Sequence, residues 1–257
     1  MTAPAAAPVA LITGAAVRIG RQIALTLAEA GWDIAVHYNR SVGDAEKTVQ
    51  DIRALGQRAE AFSASLDDHA AMVALIPKVN DVLGRVGVLI NNASVFENDR
   101  VTDATPESWN RHMDANLKAP FFLSQHFATQ LPDDVQGNVI NILDQRVWNL
   151  TPYFASYTVS KTGLWTLTQT MAMEFGPRIR VNAIGPGPVL ANTRQSAAQF
   201  QKQWESTLLK RGAEPTEIAE GVKYILSAKS LTGQMIALDG GQHLPWPPIS
   251  PTGAALD

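Results

Sequence analysis

Residues 9–20 read VALITGAAVRIG, and this stretch decides the fold. Residues 9–13 are a short apolar run that ends at Gly14, which is typical of a strand buried on both faces of a parallel sheet. A loop follows and runs to Gly20, and residues 21–30 then have the composition of a helix. A glycine turn between strand and helix lets backbone N–H groups and the positive helix N-terminus approach a pyrophosphate closely.

Outward from this unit, strand-like and helix-like segments alternate along the chain. Further strands are expected at residues 33–38, 59–63, 88–91, 138–143, 179–184 and 235–238, and helices at 44–55, 70–83, 106–131 and 156–175. The alternation predicts right-handed βαβ units, and therefore a doubly wound, Rossmann-type α/β fold whose parallel sheet has helices on both faces. The sequence shows no internal repeat or linker, so we expect one domain over residues 1–257, with tails at 1–8 and 245–257.

The composition argues against several classes of function. The chain has 257 residues, no cysteine and a formal net charge of −3, so we expect no disulfide, no thiolate catalysis and no nucleic-acid or membrane partner. The five histidines show no spacing typical of metal ligands, and we expect no metal site. There is no signal-peptide pattern, and no apolar run approaches the roughly 18 residues of a membrane span. We therefore expect a cytoplasmic protein that acts on a small molecule.

The end of the second strand bears on the choice of cofactor. An acidic residue about 20 residues after the glycine loop usually binds the ribose 2′-OH of NAD. The residues at that place are His37, Tyr38, Asn39, Arg40 and Ser41, which offer no carboxylate. Arg40 and Ser41 could contact a 2′-phosphate, and Arg18 adds a second cation, so the sequence favours NADPH. The alternative is that Arg40 is a solvated surface arginine and that Asp44 binds a ribose.

A tyrosine and a lysine form the candidate catalytic pair. Tyr157 and Lys161 stand four residues apart at the start of a helical segment, so both side chains emerge on one helix face. The ammonium group favours the phenolate and is expected to lower the pKa of Tyr157 from its usual value of about 10. A tyrosine tuned in this way can deliver a proton as hydride arrives from a nicotinamide.

The order and spacing of these motifs resemble the short-chain dehydrogenase/reductase family along almost the whole chain. The matching segments are residues 13–20, Asn91-Asn92-Ala93-Ser94, Asn116, Tyr157 with Lys161, Gly185-Pro186-Gly187 and Asp239-Gly240-Gly241. The resemblance implies that residues 91–93 surround the riboses and that residues 185–189 approach the nicotinamide. It also implies that Asn116 holds a water in a proton relay behind Lys161, which itself hydrogen-bonds the nicotinamide ribose.

The cofactor contacts expected from these features are numerous. They are Gly14, Arg18, Ile19, Gly20, His37, Tyr38, Asn39, Arg40, Ser41, Leu66, Asn92, Ala93, Ser94, Tyr157, Lys161, Pro186, Gly187 and Val189. Leu66, with Ser65, stands where the family usually has an aspartate that contacts the adenine. Family members commonly form homotetramers through two long helices, here residues 105–131 and 156–175, and have a mobile lid, here residues 190–211.

Two positions depart from the general family pattern. Asp144 stands thirteen residues before Tyr157, where the family usually has a serine, and Arg18 replaces the middle glycine of the loop. Both departures resemble the pteridine reductases and dihydromonapterin reductases, which also tend to have an aromatic residue at the position of Phe96. The resemblance implies an NADPH-dependent reduction of a dihydropteridine to a tetrahydropteridine.

The chemistry of a pterin agrees with these residue types. A flat, electron-poor ring can stack between Phe96 and the nicotinamide, and Arg18 could reach a polar edge of the ring. Reduction of a C=N bond requires a proton on nitrogen, and Asp144 beside Tyr157 could serve in that relay. The expected catalytic residues are Asp144, Tyr157, Lys161 and Asn116, and the expected substrate contacts are Arg18, Ser94, Phe96, Asp144 and Tyr157.

Two other functions are compatible with the sequence. An NADPH-dependent carbonyl reductase for a keto acyl compound or small ketone would use Asp144 in place of the serine. An ionised carboxylate repels a developing oxyanion, and a raised pKa of Asp144 would remove that objection. A non-catalytic NADPH sensor would keep the fold, but the presence of both Tyr157 and Lys161 argues against it. Phe96 is equally compatible with a position in the pocket wall or the core.

Overall fold

The computed structural model describes residues 8–191 and 195–244, which contain one seven-stranded sheet. The strands are β1 (Val9–Ile12), β2 (Asp33–Tyr38), β3 (Ala59–Ser63), β4 (Val86–Asn91), β5 (Gly137–Ile142), β6 (Ile179–Pro186) and β7 (Met235–Leu238). Their order is β3-β2-β1-β4-β5-β6-β7, and every neighbouring pair is parallel, which confirms the expected doubly wound α/β fold. Most of the two expected tails, residues 1–7 and 245–257, lies outside the described residues.

Helices cover both faces of the sheet. They are α1 (Arg18–Glu29), α2 (Val42–Ala54), α3 (His69–Val73), α4 (Leu75–Leu83), α5 (Pro106–Met113), α6 (Ala119–Gln130), α7 (Ala155–Phe175), α8 (Ala197–Glu205) and α9 (Pro215–Ser227). A π-helical turn, Asp114–Lys118, joins α5 to α6, and a 3₁₀ turn, Gln145–Val147, follows β5. In the described part of the chain, none of the helices has the length and apolar character needed to cross a membrane.

Each face of the sheet packs against its own layer of apolar side chains. On one face, side chains of α1, α2 and α9 bury Ile12 and Ile34. On the other face, α4, α6 and α7 pack against Leu11 and Leu89, with Phe127 of α6 fully buried between them. Because successive strand residues point to opposite faces and both faces are buried, the strands appear in the sequence as continuous apolar runs.

The middle of the sheet contains the point at which the strand order reverses. β1 lies between β2 and β4, and its last residue, Ile12, is in register with Val36 on one side and Ile90 on the other. The carboxyl ends of these strands therefore meet at one edge, and the connections that follow β1 and β4 diverge there. In open α/β sheets this crevice is the usual position of a ligand.

Two helix boundaries differ from the sequence predictions for local reasons. α1 begins at Arg18, earlier than expected, because the Arg21 N–H donates to the Val17 carbonyl at 3.2 Å and closes the first helical turn. The helix expected at residues 70–83 is divided into α3 and α4. Pro77 has no N–H to donate to the preceding turn, so a continuous hydrogen-bond ladder is excluded.

Three further differences concern longer segments. The helix expected over residues 106–131 is interrupted by the π-helical turn, in which Asn116 is fully buried. α9 is absent from the sequence prediction, although Pro215 begins it and its apolar face is buried. Within the expected lid, residues 190–211, the described helix is α8, and residues 192–194 lie outside the description.

Candidate active site

The carboxyl ends of β1, β4, β5 and β6 surround a cleft with two adjoining cavities of about 430 Å³ and about 350 Å³. The larger is lined by Gly14, Val17, Arg18, Ile19, Gly20, Asn92, Ala93, Ser94, Phe96, Ile142, Leu143, Asp144, Tyr157, Lys161, Pro186, Gly187, Val189 and Leu190. Most of the expected site residues are thus brought together. Those absent from the lining are His37, Tyr38, Asn39, Arg40, Ser41, Leu66 and Asn116. Across residues 8–191 and 195–244, no group of three or more His, Asp or Glu side chains could hold a metal ion.

The N-terminus of α1 is open toward the larger cavity. Val17, which precedes the helix, makes no side-chain cap hydrogen bond, and the first turn contains no acidic residue. Gly14 has a φ of 65°, and a Cβ at Gly20 would lie 2.3 Å from the Gly14 carbonyl oxygen, so both positions require glycine. The first N–H groups of the helix and the positive end of its dipole are therefore available to an anion.

His37 supports the glycine loop and does not line the cleft. Its Nδ1 accepts from the Gly14 N–H at 3.1 Å, its Nε2 donates to the Ala64 carbonyl at 3.0 Å, and the residue is 1% exposed. Burial lowers the pKa of the imidazole to about 4, so the ring is neutral at pH 7. The side chain thus stabilises the loop, and the expected cofactor contact of His37 stays a prediction.

Thr13 and Asn92 tie together the loops that follow β1 and β4. The buried Thr13 hydroxyl oxygen accepts from the backbone N–H of Asn92 at 2.9 Å and of Ala93 at 3.0 Å. The Asn92 side-chain amide donates to the Thr13 carbonyl at 2.8 Å. The sequence gives Thr13 no role, because its partners lie far away along the chain.

The residues that follow β2 and β3 have mixed environments. Asn39, Arg40 and Ser41 are exposed, and Tyr38 is half-buried against the apolar layer below the glycine loop. Among the residues that the structure describes, no carboxylate forms an ion pair with Arg40. The side chain of Leu66 is buried in the apolar layer on the opposite face, and the expected cofactor contact of Leu66 stays a prediction.

Tyr157 and Asp144 share a hydrogen bond inside the cleft. The Tyr157 hydroxyl donates to Asp144 Oδ2 at 2.9 Å, and Asp144 Oδ1 accepts from the Arg146 backbone N–H at 2.8 Å. The second contact caps the 3₁₀ turn and fixes the direction of the carboxyl group. Lys161 Nζ donates to the Ile142 carbonyl at 2.8 Å and lies 5.8 Å from the centre of the Tyr157 ring. Three of the expected catalytic side chains are therefore neighbours.

Burial controls the protonation of these three groups. It raises the pKa of Asp144 in spite of the nearby Arg146 charge, and it raises the pKa of Tyr157 well above 10.0, with the Asp144 charge adding to the effect. It lowers the pKa of Lys161 to about 8, against the opposing influence of Asp144. The expectation that Lys161 lowers the pKa of Tyr157 is wrong for this structure, because burial and the carboxyl group dominate. Tyr157 therefore keeps its proton at neutral pH.

Asn116 joins the segment after β4 to α7. Its Oδ1 accepts from the Val95 N–H at 2.8 Å, and its Nδ2 donates to the Val95 carbonyl at 2.9 Å and to Ser160 Oγ at 3.1 Å. The Ser94 hydroxyl donates to the same Asn116 oxygen at 3.2 Å. These direct contacts fix the position of the loop, and the expected water relay behind Lys161 stays a prediction.

Phe96 and Phe154 form an aromatic pair beside Tyr157. The rings of Phe96 and Phe154 lie 5° from parallel with centroids 4.4 Å apart, and the Tyr157 ring meets Phe96 at 73° and 4.7 Å. Phe154 precedes α7 in a left-handed conformation with a φ of 59°. Phe154 thus covers one face of Phe96, so at most one face of Phe96 remains for a flat ligand.

Arg18 connects the glycine loop to the segment after β6. It has a φ of 57°, and its guanidinium donates to the carbonyls of Ala191 at 3.0 Å and Leu190 at 3.2 Å. The residue lines both cavities. Arg18 is therefore placed between the two cavities of the cleft.

A buried polar cluster fixes the start of α7. Asp99 accepts from the Ser156 N–H at 3.1 Å, from the Ser108 hydroxyl at 3.1 Å and from the Ser156 hydroxyl. His112 Nδ1 lies 2.7 Å from Ser156 Oγ. Because Ser156 directly precedes Tyr157, this cluster orients the first turn of α7. The sequence does not reveal it, since its members come from three separate segments.

Comparison with known proteins agrees with this geometry. A family model described as short chain dehydrogenase matches residues 8–202. The 3-oxoacyl-[acyl-carrier-protein] reductase FabG of Staphylococcus epidermidis is 35% identical over 240 residues, which cover 91% of this chain and 98% of the relative. The 2-dehydro-3-deoxy-D-gluconate 5-dehydrogenase of Dickeya dadantii is 30% identical over 241 residues, which cover 91% of this chain and 94% of the relative.

Solved structures show the same similarity in three dimensions. FolM Alternative dihydrofolate reductase 1 from Brucella suis, in complex with NADP, is 43% identical with a TM-score of 0.91, over 96% of this chain and 98% of that chain. A blue fluorescent protein from a metagenomic library, in complex with NADPH, is 30% identical with a TM-score of 0.85. The match covers 92% of this chain and 98% of that chain. The family model, the relatives and the structures agree, and the chain belongs to the short-chain dehydrogenase family.

Proposed function

We propose that this protein is an NADPH-dependent reductase that converts a dihydropteridine to a tetrahydropteridine. The observation that carries the proposal is the 2.9 Å hydrogen bond between the Tyr157 hydroxyl and Asp144 inside the cleft. The similarity to a solved alternative dihydrofolate reductase at 43% identity supports the same class of substrate.

The open N-terminus of α1 fits the pyrophosphate of a nicotinamide dinucleotide. It presents uncapped N–H groups and the Arg18 charge to the larger cavity, and solved relatives contain NADP or NADPH. The pyrophosphate would be held by Gly14, Arg18, Ile19 and Gly20, the riboses by Asn92, Ala93, Ser94, Tyr157 and Lys161, and the nicotinamide by Pro186, Gly187 and Val189. NADPH supplies the hydride when it is bound.

The exposed end of β2 supports a preference for NADPH. Arg40 and Ser41 are exposed there, and no acidic residue lies between Tyr38 and Ser41 to take the 2′-OH of NADH. Asp44, the alternative ribose ligand, lies in the first turn of α2, where a carboxylate interacts favourably with the helix dipole. Arg40 and Ser41 would therefore hold the 2′-phosphate.

Tyr157 and Asp144 supply the proton that reduction of a C=N bond requires. Tyr157 keeps its proton at neutral pH, and the raised pKa of Asp144 favours proton exchange across their hydrogen bond. Lys161, held by the Ile142 carbonyl, places a positive charge behind the pair and offsets the negative charge left after proton transfer. The side chain of Phe96 and the guanidinium of Arg18, which both line the smaller cavity, would orient the pterin ring.

A second candidate function is the reduction of a carbonyl group. The similarity to a 3-oxoacyl-[acyl-carrier-protein] reductase at 35% identity favours it. The raised pKa of Asp144 weakens the repulsion that an ionised carboxylate would exert on a developing oxyanion, so the Asp144→Ser comparison is needed to distinguish the two functions. A non-catalytic NADPH sensor is the least favoured function, since Tyr157 and Lys161 both line the cleft.

Exposed apolar side chains support a homotetramer of this chain. Four exposed apolar side chains lie on the two long segments expected to form subunit contacts. They are Trp109 on α5, Phe121 on α6, and Val159 and Met173 on α7. Their burial between subunits would remove apolar surface from water.

The first prediction concerns substrate choice. NADPH oxidation would be followed with dihydrobiopterin, dihydromonapterin, dihydrofolate and a set of aldehydes and ketones, for the natural protein and for Asp144→Ser. We expect turnover of a dihydropteridine, with kcat reduced at least about 100-fold in Asp144→Ser because the relay to Tyr157 is lost. Asp134→Ser, an exposed aspartate far from the cleft, is the control and should keep full activity. Activity on carbonyl compounds alone, kept or improved by Asp144→Ser, would disprove the pterin function.

The second prediction concerns pH. Reductase activity should fall as the pH rises through about 8, because Lys161 loses its proton in that range. The Asp144 charge raises the pKa values of both Lys161 and Tyr157, so its removal in Asp144→Asn should lower both and move the alkaline limb of the residual activity to lower pH. The profile of kcat/KM against pH measures this shift, with the exposed Asp133→Asn as control. An alkaline limb at the same or a higher pH in Asp144→Asn would contradict the electrostatic coupling of Asp144 to Lys161 and Tyr157.

The third prediction concerns cofactor choice. Arg40→Ala should raise the KM for NADPH by about ten-fold or more while leaving the KM for NADH nearly unchanged, because one charge-assisted contact to the 2′-phosphate is removed. Lys47→Ala, an exposed cation on α2, is the matched control and should alter neither value. Equal effects of Arg40→Ala on both cofactors would show that Arg40 does not contact the 2′-phosphate.

A further inference from the structure

Two neighbouring side chains on the 3₁₀ turn after β5 have polar atoms without partners. Gln145 is 6% exposed and lines the smaller cavity, and its Oε1 is buried without a hydrogen-bond partner in the part of the chain that the structure describes. Arg146 lines the same cavity, and its Nε is also buried and unpartnered there. Unsatisfied buried polar groups are costly and rare. The Arg146 Nε–H lacks an acceptor, so this guanidinium is the group on the turn that an oxyanion would complete, whereas the Gln145 Oε1 lacks a donor and would not bind an anion.

The guanidinium of Arg146 is held in a fixed orientation. Its Nη1 donates to Thr151 Oγ1 at 2.7 Å, and its central carbon lies 4.9 Å from the centre of the Phe154 ring. Phe154 in turn stacks on Phe96 at 4.4 Å. Among the described residues, the other terminal nitrogen of Arg146, Nη2, has no hydrogen-bond partner. It therefore remains available to donate a hydrogen bond to a ligand. A preorganised guanidinium loses little conformational freedom when it binds an oxyanion.

The charges around the smaller cavity favour a negative ligand. Its charged lining residues are Arg18, Arg146 and Asp144, and its other polar side chains include four neutral glutamines. Within residues 8–191 and 195–244, neither arginine forms an ion pair with a carboxylate. Asp144 is already engaged by the Tyr157 hydroxyl and a backbone N–H. Arg146 lies close enough to Asp144 to lower the pKa of that carboxyl, and together with Arg18 it leaves the lining beside the proton donor with more positive than negative charge.

We propose that Arg146 forms a subsite for an acidic substituent of the substrate, a carboxylate on the side chain of the ring. The inference rests on the proposed function, since Asp144 and Tyr157 act on the ring while the adjacent turn binds its side chain. Arg146 donates charge-assisted hydrogen bonds to the oxyanion. A phosphate on the substrate would present the same oxyanion chemistry, so the test includes both groups.

The test compares kcat/KM for three dihydropterins in the natural protein, Arg146→Gln and Arg146→Lys. Dihydrofolate has a carboxylate tail, dihydroneopterin monophosphate has a phosphate, and dihydrobiopterin has a neutral side chain. In Arg146→Gln we expect a loss of about 10- to 100-fold with dihydrofolate, mainly through KM, and less than about a two-fold change with dihydrobiopterin. Arg146→Lys keeps the charge and should recover part of the loss. An equal loss with the phosphate compound would support a general oxyanion subsite.

Arg100→Gln is the matched control. Arg100 also stacks on an aromatic ring, 4.4 Å from the centre of Tyr153, but it does not line either cavity, so its substitution should leave all three substrates unaffected. Equal losses in Arg146→Gln with acidic and neutral substrates, no loss at all, or a loss confined to the phosphate compound would overturn the carboxylate subsite.

A second pair of substrates separates this inference from the proposed function. If the natural protein reduces no dihydropterin, the pterin function fails, and acetoacetate is then compared with its uncharged ethyl ester. A preference for the acid that disappears in Arg146→Gln would support the subsite in an enzyme of the other substrate class. The absence of any preference for the acid would overturn it.

Discussion

The hydrogen bond from the Tyr157 hydroxyl to Asp144 is the contact on which the candidate site depends. It connects the turn after β5 to the first turn of α7, and both elements are fixed independently, by the Asp144 cap and by the Asp99 cluster. Burial raises the pKa of both partners, which favours their protonated forms. The fold thus places a proton donor at the carboxyl edge of the sheet, beside an open helix N-terminus that fits a dinucleotide.

The sequence predicts most of the fold because strands buried on both faces are continuous apolar runs. The unit from Val9 to Gly20 already contains a strand, a turn and a helix start, and the structure has each of them. The π-helical turn is missed because it depends on contacts between residues that are far apart in the sequence. The π-helical turn around Asn116 is stabilised by hydrogen bonds to Val95 and Ser160, which lie far away along the chain. By contrast, the signals of α9 and the break before Pro77 are local and readable.

The candidate site is predictable where local spacing determines geometry. The four-residue interval from Tyr157 to Lys161 and the glycines of the loop are such cases, and these residues line one cleft. Spacing does not show which way a side chain points, so the sequence does not reveal that the side chains of His37 and Leu66 are buried outside the cleft lining. The sequence also predicts the wrong direction for the pKa shift of Tyr157, because the burial that raises this pKa is a property of the folded chain. Arg146 escapes notice for the same reason, since its unpartnered Nε is visible only in three dimensions.

The central claim is that Tyr157 and Asp144 act as one proton-delivering unit on a pterin ring. A double-mutant cycle tests it most directly, with kcat/KM for a dihydropteridine measured at neutral pH for Asp144→Ser, Tyr157→Phe and the double variant. We expect the double variant to be no slower than Tyr157→Phe alone, because residues that act as a unit have strongly non-additive effects. Losses that multiply in the double variant would contradict the claim and show that the two side chains contribute independently.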